Sequence, residues 1–302
     1  MDVLRNGKSI LDDVDLKSAY YYDYAGGNAD KIRMTMLNTD GIDFIKGDII
    51  SADLDNGSKT GDLYLSFVQK RGTDLVIEAL STKPSANDSC IFMKDNITLH
   101  EIARSVASEL DLTLSMHNIK DYLYVHKEQI YDSNLNFLFR ICELEGILLK
   151  INSGRLIMIG EKEAENAVPE SAFSEIDFEQ EPEFSTKDAN LLASVQNTWR
   201  HENMLFRRKI YSGLSGKHLY TRYMCGSLDE CERICKGILR KHNKNEFTAS
   251  AILKYGDLRA GQTINLTTGD SFSGRYFISG ISNDLMTGNQ KLICRKPIAG
   301  DY

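Results

Sequence analysis

The sequence predicts a β-rich α+β fold, in which two β units of barrel or sandwich type flank a small α/β insert. Three observations carry this. Short apolar runs with a period of two, separated by glycine turns, fill residues 1 to about 95. Near residue 96 the apolar period becomes that of a helix. After residue 246 strands and glycine turns return. At 302 residues the chain exceeds what one core usually fills, so two or three domains are expected.

Taken in order, the first region (1–95) alternates through Ile32, Met34 and Met36, then through Leu63, Leu65 and Phe67. A further run, Leu75 to Leu80, follows Lys70-Arg71-Gly72-Thr73, which reads as a hairpin turn. Gly26-Gly27, Asp40-Gly41 and Asn56-Gly57 mark other turns.

The insert (96–160) opens on the capping box Thr98-Leu99-His100-Glu101, and Ile102, Ala103, Val106, Ala107 and Leu110 continue at helical spacing. A strand is expected at Leu112 to Met116. A second helix should start near Ser133, bury Leu135, Leu138, Ile141 and Cys142, and end at a left-handed Gly146. Ile147 to Ile151 and Leu156 to Ile159 then form a hairpin across Asn152-Ser153-Gly154.

Residues 161–189 carry nine acidic side chains between Glu161 and Glu183, with Pro169 and Pro182 among them, and read as a solvated connector, the alternative being a return of strands to the first β unit that would make the units discontinuous. In the last region (190–302), Ser227-Leu228-Asp229-Glu230 is a second capping box. It opens a helix near 228–241 with Leu228, Cys231, Cys235 and Ile238 on one face, and strands follow from Glu246 to Pro297.

Composition narrows the function. Hydrophobic residues at 42% suffice for packed cores, and no apolar run approaches the ~20 residues that cross a bilayer. The first residues lack the basic-then-apolar pattern of a signal peptide. A net charge of -7 gives no electrostatic reason to expect binding to a phosphate backbone. Six cysteines, Cys90, Cys142, Cys225, Cys231, Cys235 and Cys294, are too sparse for a disulfide scaffold and point to synthesis in a reducing cytosol.

Chemistry finds no assembled parts, so no catalytic, cofactor-binding or metal-binding residue is expected, and the chain is expected not to be an enzyme. Cys231 and Cys235 share a helix face without the further ligands zinc needs. His100-Glu101 and His201-Glu202 begin like a zinc-protease motif, but Arg104 and Leu205 stand where the second histidine belongs. Asp12-Asp13 and the Glu179–Glu183 stretch read as solvated acids. Trp199-Arg200-His201 with Arg207-Arg208-Lys209 is the basic, aromatic stretch, read as an exposed strand facing the acidic connector or a partner rather than nucleic acid.

The two β regions echo each other. Gly47-Asp48-Ile49-Ile50 and Gly61-Asp62-Leu63-Tyr64-Leu65-Ser66 match Gly261-Gln262-Thr263-Ile264 and Gly274-Arg275-Tyr276-Phe277-Ile278-Ser279. The glycines are 14 residues apart in the first copy and 13 in the second, so one unit type would occur twice.

Against this background the segment Asn96 to Ala103 through Leu135 to Gly146 resembles the phage late control gene D family, the hub proteins of contractile tails. It also resembles the first part of valine-glycine-repeat spike proteins of type VI secretion. A second match runs from Ser227-Leu228-Asp229-Glu230-Cys231 through Ala260-Gly261-Gln262-Thr263-Ile264 and Gly274 to Ile278, and a third from Ala29-Asp30 to Lys46-Gly47-Asp48.

The resemblance implies two tube-type β-barrels per chain and a homotrimer presenting six near-equivalent positions, which adapts a sixfold tail tube to a threefold central spike. It implies as partners the tail tube protein, the spike protein as a separate chain, and baseplate wedge and tape-measure proteins. No cofactor and no membrane in the resting state are implied, and passage of DNA is compatible with the resemblance while specific DNA binding is not expected. The alternative is a peptidoglycan-binding or cell-wall-hydrolase-associated protein, since the insert is similar to small wall-binding modules and Tyr122, Tyr124 and Tyr131 are candidate sugar platforms.

Overall fold

The computed structural model describes residues 2–37, 41, 43–54, 59–187, 189–201, 203–254, 256–300 and 302. The expected turn at Asn56-Gly57, Asp40 of the turn at Asp40-Gly41, and Glu202 lie outside the described residues. The chain begins with β1 (Asp2–Arg5), β2 (Lys8–Ser9), β3 (Asp15–Tyr24), β4 (Lys31–Leu37), β5 (Ile49–Asp53), β6 (Leu63–Arg71) and β7 (Asp74–Leu80). Next come β8 (Ser89–Thr98), α1 (Leu99–Glu109), β9 (Thr113–His117), β10 (Leu123–Ser133), α2 (Asn134–Glu145), β11 (Ile147–Asn152) and β12 (Arg155–Gly160). Then follow α3 (Glu161–Asn166), β13 (Ser171–Ser174), β14 (Glu183–Thr186), β15 (Leu192–His201), β16 (Met204–Tyr211), β17 (Lys217–Thr221) and α4 (Leu228–Asn243). The last strands are β18 (Phe247–Leu253), β19 (Thr263–Thr267), β20 (Gly274–Asp284) and β21 (Gln290–Arg295).

The chain is mostly strand, as the sequence predicts, and one 13-stranded sheet runs through both β units. Its first part orders β3-β4-β7-β6-β5-β1, its second β14-β18-β21-β20-β19-β13, and β20 pairs with β3 to join them. Each part wraps round its own apolar core. Val3 of β1 and Tyr21 of β3 come from strands far apart in the order yet share one cluster with Ile32, Met34, Leu63, Leu65 and Ile77. Phe173 of β13 and Phe184 of β14 likewise meet on a cluster containing Ile264, Tyr276, Ile278 and Leu292. Period-two alternation puts these residues inside, and only a strongly bent sheet brings both of its ends to one core.

The weak sequence echo is a duplication in three dimensions. The strand order is the same in both copies. Gly47 and Gly261 have φ values of 95° and 97°, a region open to glycine, and each donates its amide to the central strand at 2.8 Å, to Leu65 and Ile278 respectively. The residue after each glycine closes the turn with its side chain: Asp48 accepts from the amide of Ile45 at 3.0 Å, and Gln262 from that of Arg259 at 2.7 Å. A bulge falls between Leu65 and Phe67 in one copy and between Ile278 and Gly280 in the other. At that bulge Ser66 Oγ donates to the carbonyl of Glu78 and Ser279 Oγ to that of Ile293.

Within the insert the helices and the hairpin lie where their local signals put them, but the insert does not begin at residue 96: β8 (Ser89–Thr98) pairs with β10, not with the first β unit, and Ala86 and Phe92 pack on the insert core. Thr98 and Glu101 make both halves of the capping box, at 3.3 and 2.8 Å. Ser133 caps α2, Gly146 ends it at φ 67°, and Ser153 and Gly154 turn the β11–β12 hairpin with positive φ. Ile102, Val106, Leu138, Cys142, Leu149 and Met158 meet in one core.

Three further expectations are corrected. The stretch 161–189 is more than a connector: it holds α3, β13 and β14, and the two strands pair with β19 and β18. Short strands bearing one half-buried aromatic each, in a stretch rich in acids, give no periodic signal, and their partners lie ~60–90 residues away. The helix at 228–243 does not belong to the second β unit. Its apolar face packs on β15 and β16, and Val195, Phe206, Cys231, Ile234, Ile238 and Leu239 form a separate core. The second capping box is half made. Ser227 accepts from the amide of Glu230 at 3.0 Å, but the Glu230 carboxylate accepts from Gly226 instead of Ser227.

Candidate assembly surfaces

Several of the described residues with chemical potential in the sequence have structural partners. His100 faces the backbone carbonyl of Ile119 at 3.1 Å and the carboxylate of Asp121 at 3.5 Å, so it closes the loop at the start of α1. The side chain of His201 lies outside the described residues. Cys231 and Cys235 are buried and unbridged, and Cys225 adjoins Cys231 through Asn197, whose Nδ2 donates to both sulfurs. Burial pushes the Cys225 thiol up to about 12 and the Cys235 thiol to about 11, so neither is a ready thiolate ligand. Among the described residues no three His, Cys, Asp or Glu side chains gather as a metal site would require. Asp12 and Asp13 lie in an exposed turn.

The tyrosines named as sugar platforms are largely occupied. Tyr124 is 1% exposed and donates to Glu145 at 3.0 Å, while the Arg233 guanidinium covers the Tyr122 ring at 4.3 Å. Tyr131 alone of the three is open. The basic stretch splits by strand alternation. Trp199 turns inward to the α4 core, while Arg200, Arg207 and Lys209 share the opposite face with Tyr211 and Tyr220. None of β15, β16 and β17 carries an acidic residue, so this face is a positive platform on an acidic chain. A second outward surface lies on the β8–β10 ribbon, where Ile91 sits opposite Ile130 beside Met93 and all three are exposed.

What the sequence does not reveal is how firmly the units are tied together. Asp23 and Asp30 from the first β unit meet Lys150 of β11, with Lys150 Nζ 3.3 Å from Asp30 and in closer contact with Asp23. Asp30 accepts from the Tyr24 amide at 2.9 Å and from Asn152 at 3.1 Å, and Asp23 accepts from the Ala260 amide at 2.9 Å. One cluster therefore joins both β units and the insert. A second cluster joins the insert to α4: Arg233 donates to Glu145 at 2.8 Å and Lys127 to Glu230 at 2.8 Å. A third places Arg295 of β21 between Glu161 and Glu165 of α3, at 2.8 and 2.5 Å. Removing charges from water is costly, so such clusters persist only where geometry and extra hydrogen bonds compensate.

Burial raises the Asp30 carboxyl above its usual range, and the opposing pull of Lys150 does not reverse this. With the folded value above the unfolded one, the folded state takes up the proton first. The stability this group contributes therefore falls as pH rises through the folded value, and returns as pH drops toward the ordinary carboxylate value near 4. Wild-type protein should gain thermal stability relative to Asp30→Asn as the pH is lowered from neutrality to about 4.5. A difference in melting temperature that stays flat across that window would refute the assignment.

No protein-family model matches the sequence, and no curated protein does. Solved structures do match in fold. A 43 kDa tail protein of prophage MuSo2 from Shewanella oneidensis superposes with a TM-score of 0.79 at 11% identity, covering 99% of both chains. A tail protein from Neisseria meningitidis gives 0.77 at 11% identity, covering 98% of this chain and 95% of that one. An E. coli component of the type VI secretion system, itself structurally similar to the T4 bacteriophage tail proteins gp27 and gp5, gives 0.63 at 10% identity, covering 98% of this chain and 77% of that one. The fold expected from the resemblance to tail hubs is thus the fold of the chain.

Proposed function

We propose that this chain, which has the fold of phage tail proteins, is the structural hub of a contractile tail or phage-like injection particle, a homotrimer between a sixfold tube and a threefold spike. The observation that carries the reading is the duplication. Two copies of one β unit in each of three chains give six near-equivalent positions around an axis that is only threefold. Its mechanism is mechanical, with no catalytic step and no cofactor. The buried clusters at Asp30, Glu145 and Arg295 hold the units in fixed relation, which suits a part that passes tube thrust to a spike. The positive face of Arg200, Arg207 and Lys209 and the apolar ribbon at Ile91 and Ile130 are surfaces for neighbouring particle proteins such as tube, wedge or tape-measure chains.

Light scattering of the purified chain, alone and mixed with a candidate spike protein, tests this. A mass near three times 34.1 kDa, or a trimer that appears only with the spike, supports it. A strict monomer that ignores the spike and sediments with purified cell walls overturns it in favour of the wall-binding alternative.

A further inference from the structure

The junction between the two β units inside one chain has a vacant counterpart. On β20 the bulge at Ile278–Gly280 is followed by a stretch whose free side is filled by β3, with Gly280 opposite Tyr24, Ser282 opposite Tyr22 and Asp284 opposite Tyr20. The matching stretch of β6 begins at the matching bulge and runs from Phe67 to Arg71. It pairs with β7 on one side. On the other side β5 reaches only Leu63 and Tyr64, and among the described residues no strand lies beyond. Phe67 is 40% exposed there, while its counterpart Gly280 is buried. The counterpart of β3 is β14, which ends the sheet order and, among the described residues, pairs only with β18. Each chain therefore carries one unfilled acceptor edge and one unfilled donor strand, of the two types already joined once within it.

We propose that β14 of a second copy of this chain adds to the β6 edge at Phe67–Arg71, repeating between molecules the β3–β20 junction. The duplication fixes the register. Tyr64 and Phe277 occupy equivalent positions opposite Leu80 and Arg295, and those face Lys31 and Thr248, which in turn face Tyr22 and Ser185. Ser282 opposite Tyr22 thus becomes Gln69 opposite Ser185, and Asp284 opposite Tyr20 becomes Arg71 opposite Glu183. The charges agree with this register, since the β6 edge ends in Lys70 and Arg71 and the incoming strand starts at Glu183 after Glu179 and Glu181. The other strands that end the sheet have no intrachain junction to serve as a template. Exposed edges seed pairing with further chains unless guarded, and here the guard on one edge is complementary to the strand proposed to fill it. The interface is heterologous, so a finite assembly built on it closes into a ring. It rests on the trimer reading above only for the number of copies at closure.

The test is a disulfide across the proposed register, made in the full chain with Cys90→Ser to remove the partly exposed thiol. Opposed residues in antiparallel strands lie about 4.5–5.5 Å apart at Cα, within reach of a disulfide. Gln69→Cys with Ser185→Cys should give oxidised dimers and trimers on a non-reducing gel, while the slipped pair Gln69→Cys with Thr186→Cys should not. Arg71→Glu or Glu183→Arg alone should weaken association roughly five-fold per junction, and the two together should restore it. Equal cross-linking of both pairs, or a trimer by light scattering that neither cross-links at 69/185 nor responds to the charge variants, overturns this junction and leaves the hub reading standing. A monomer at every concentration, with and without spike, overturns both.

Discussion

Arg295→Met should lower the stability of the chain by about 3–5 kcal/mol. Arg295 is 2% exposed and sits between the carboxylates of Glu161 and Glu165, themselves 4% and 2% exposed. Methionine fills the same stem volume but supplies no charge. Glu161 keeps Lys244 at 3.4 Å and Arg240 at 3.9 Å, whereas Glu165 is left with the amide of Ile298 at 3.1 Å. A buried carboxylate with one neutral donor is the costly outcome, larger than the net worth of the pair itself. The cost should therefore fall sharply in the double variant Arg295→Met with Glu165→Gln, which removes the stranded charge. Urea midpoints followed by circular dichroism read both. A single variant within ~1 kcal/mol of wild type would show that water reaches the cluster.

Gly237→Ala should destabilise the chain by about 2–3 kcal/mol, although alanine is the better helix former by about 1 kcal/mol. A Cβ at Gly237 would stand 2.1 Å from the carbonyl oxygen of Leu144 and 2.6 Å from its Cα. These are backbone atoms of α2, so no side chain can turn aside and the two helices must separate. Separation would also stretch the bonds from Arg233 to Glu145 and from Lys241 to Glu143, both 2.8 Å. The single tryptophan, Trp199, packs against the α4 core, so its fluorescence reports on this unit directly. The tryptophan transition should move to lower urea in the variant. An unchanged or higher midpoint would mean that the close approach of α2 and α4 is absent in solution.

Sequence reading succeeded where the signal was local. Caps at Thr98 and Ser133, the stop at Gly146 and the turn at Ser153-Gly154 each constrain backbone within a few residues, and the helices and hairpin lie where those residues put them. The echo between Gly47 and Gly261 was readable because both turns use a backbone region that favours glycine. The ties between units were not readable. Glu161 and Glu165 belong to an acidic run that looks solvated, and only the fold brings Arg295 to them from 130 residues away. Lys150 and Asp23 are similarly remote. Strands β13 and β14 were hidden because one aromatic among acids sets no period, and their pairing is decided by β18 and β19. On the positive face, strand alternation turned Trp199 inward and left the neighbouring cations outside, a split the linear stretch conceals.

The duplication also bears on how such a part can change. If six separate identical chains formed the ring, every substitution would appear at all six positions, and a bulky insertion tolerated once would have to be tolerated six times. Fusing two copies into one chain frees each to drift alone. The first copy carries the α1–α2 insert after β7, and the second carries β15, β16, β17 and α4 between β14 and β18, where the first has only the short link from β3 to β4. In the proposed trimer each addition would recur at every second position, so two different bulky additions could alternate around one circumference. In that proposed ring the shared β framework would keep the even spacing, and the divergence of its two halves would supply the threefold character.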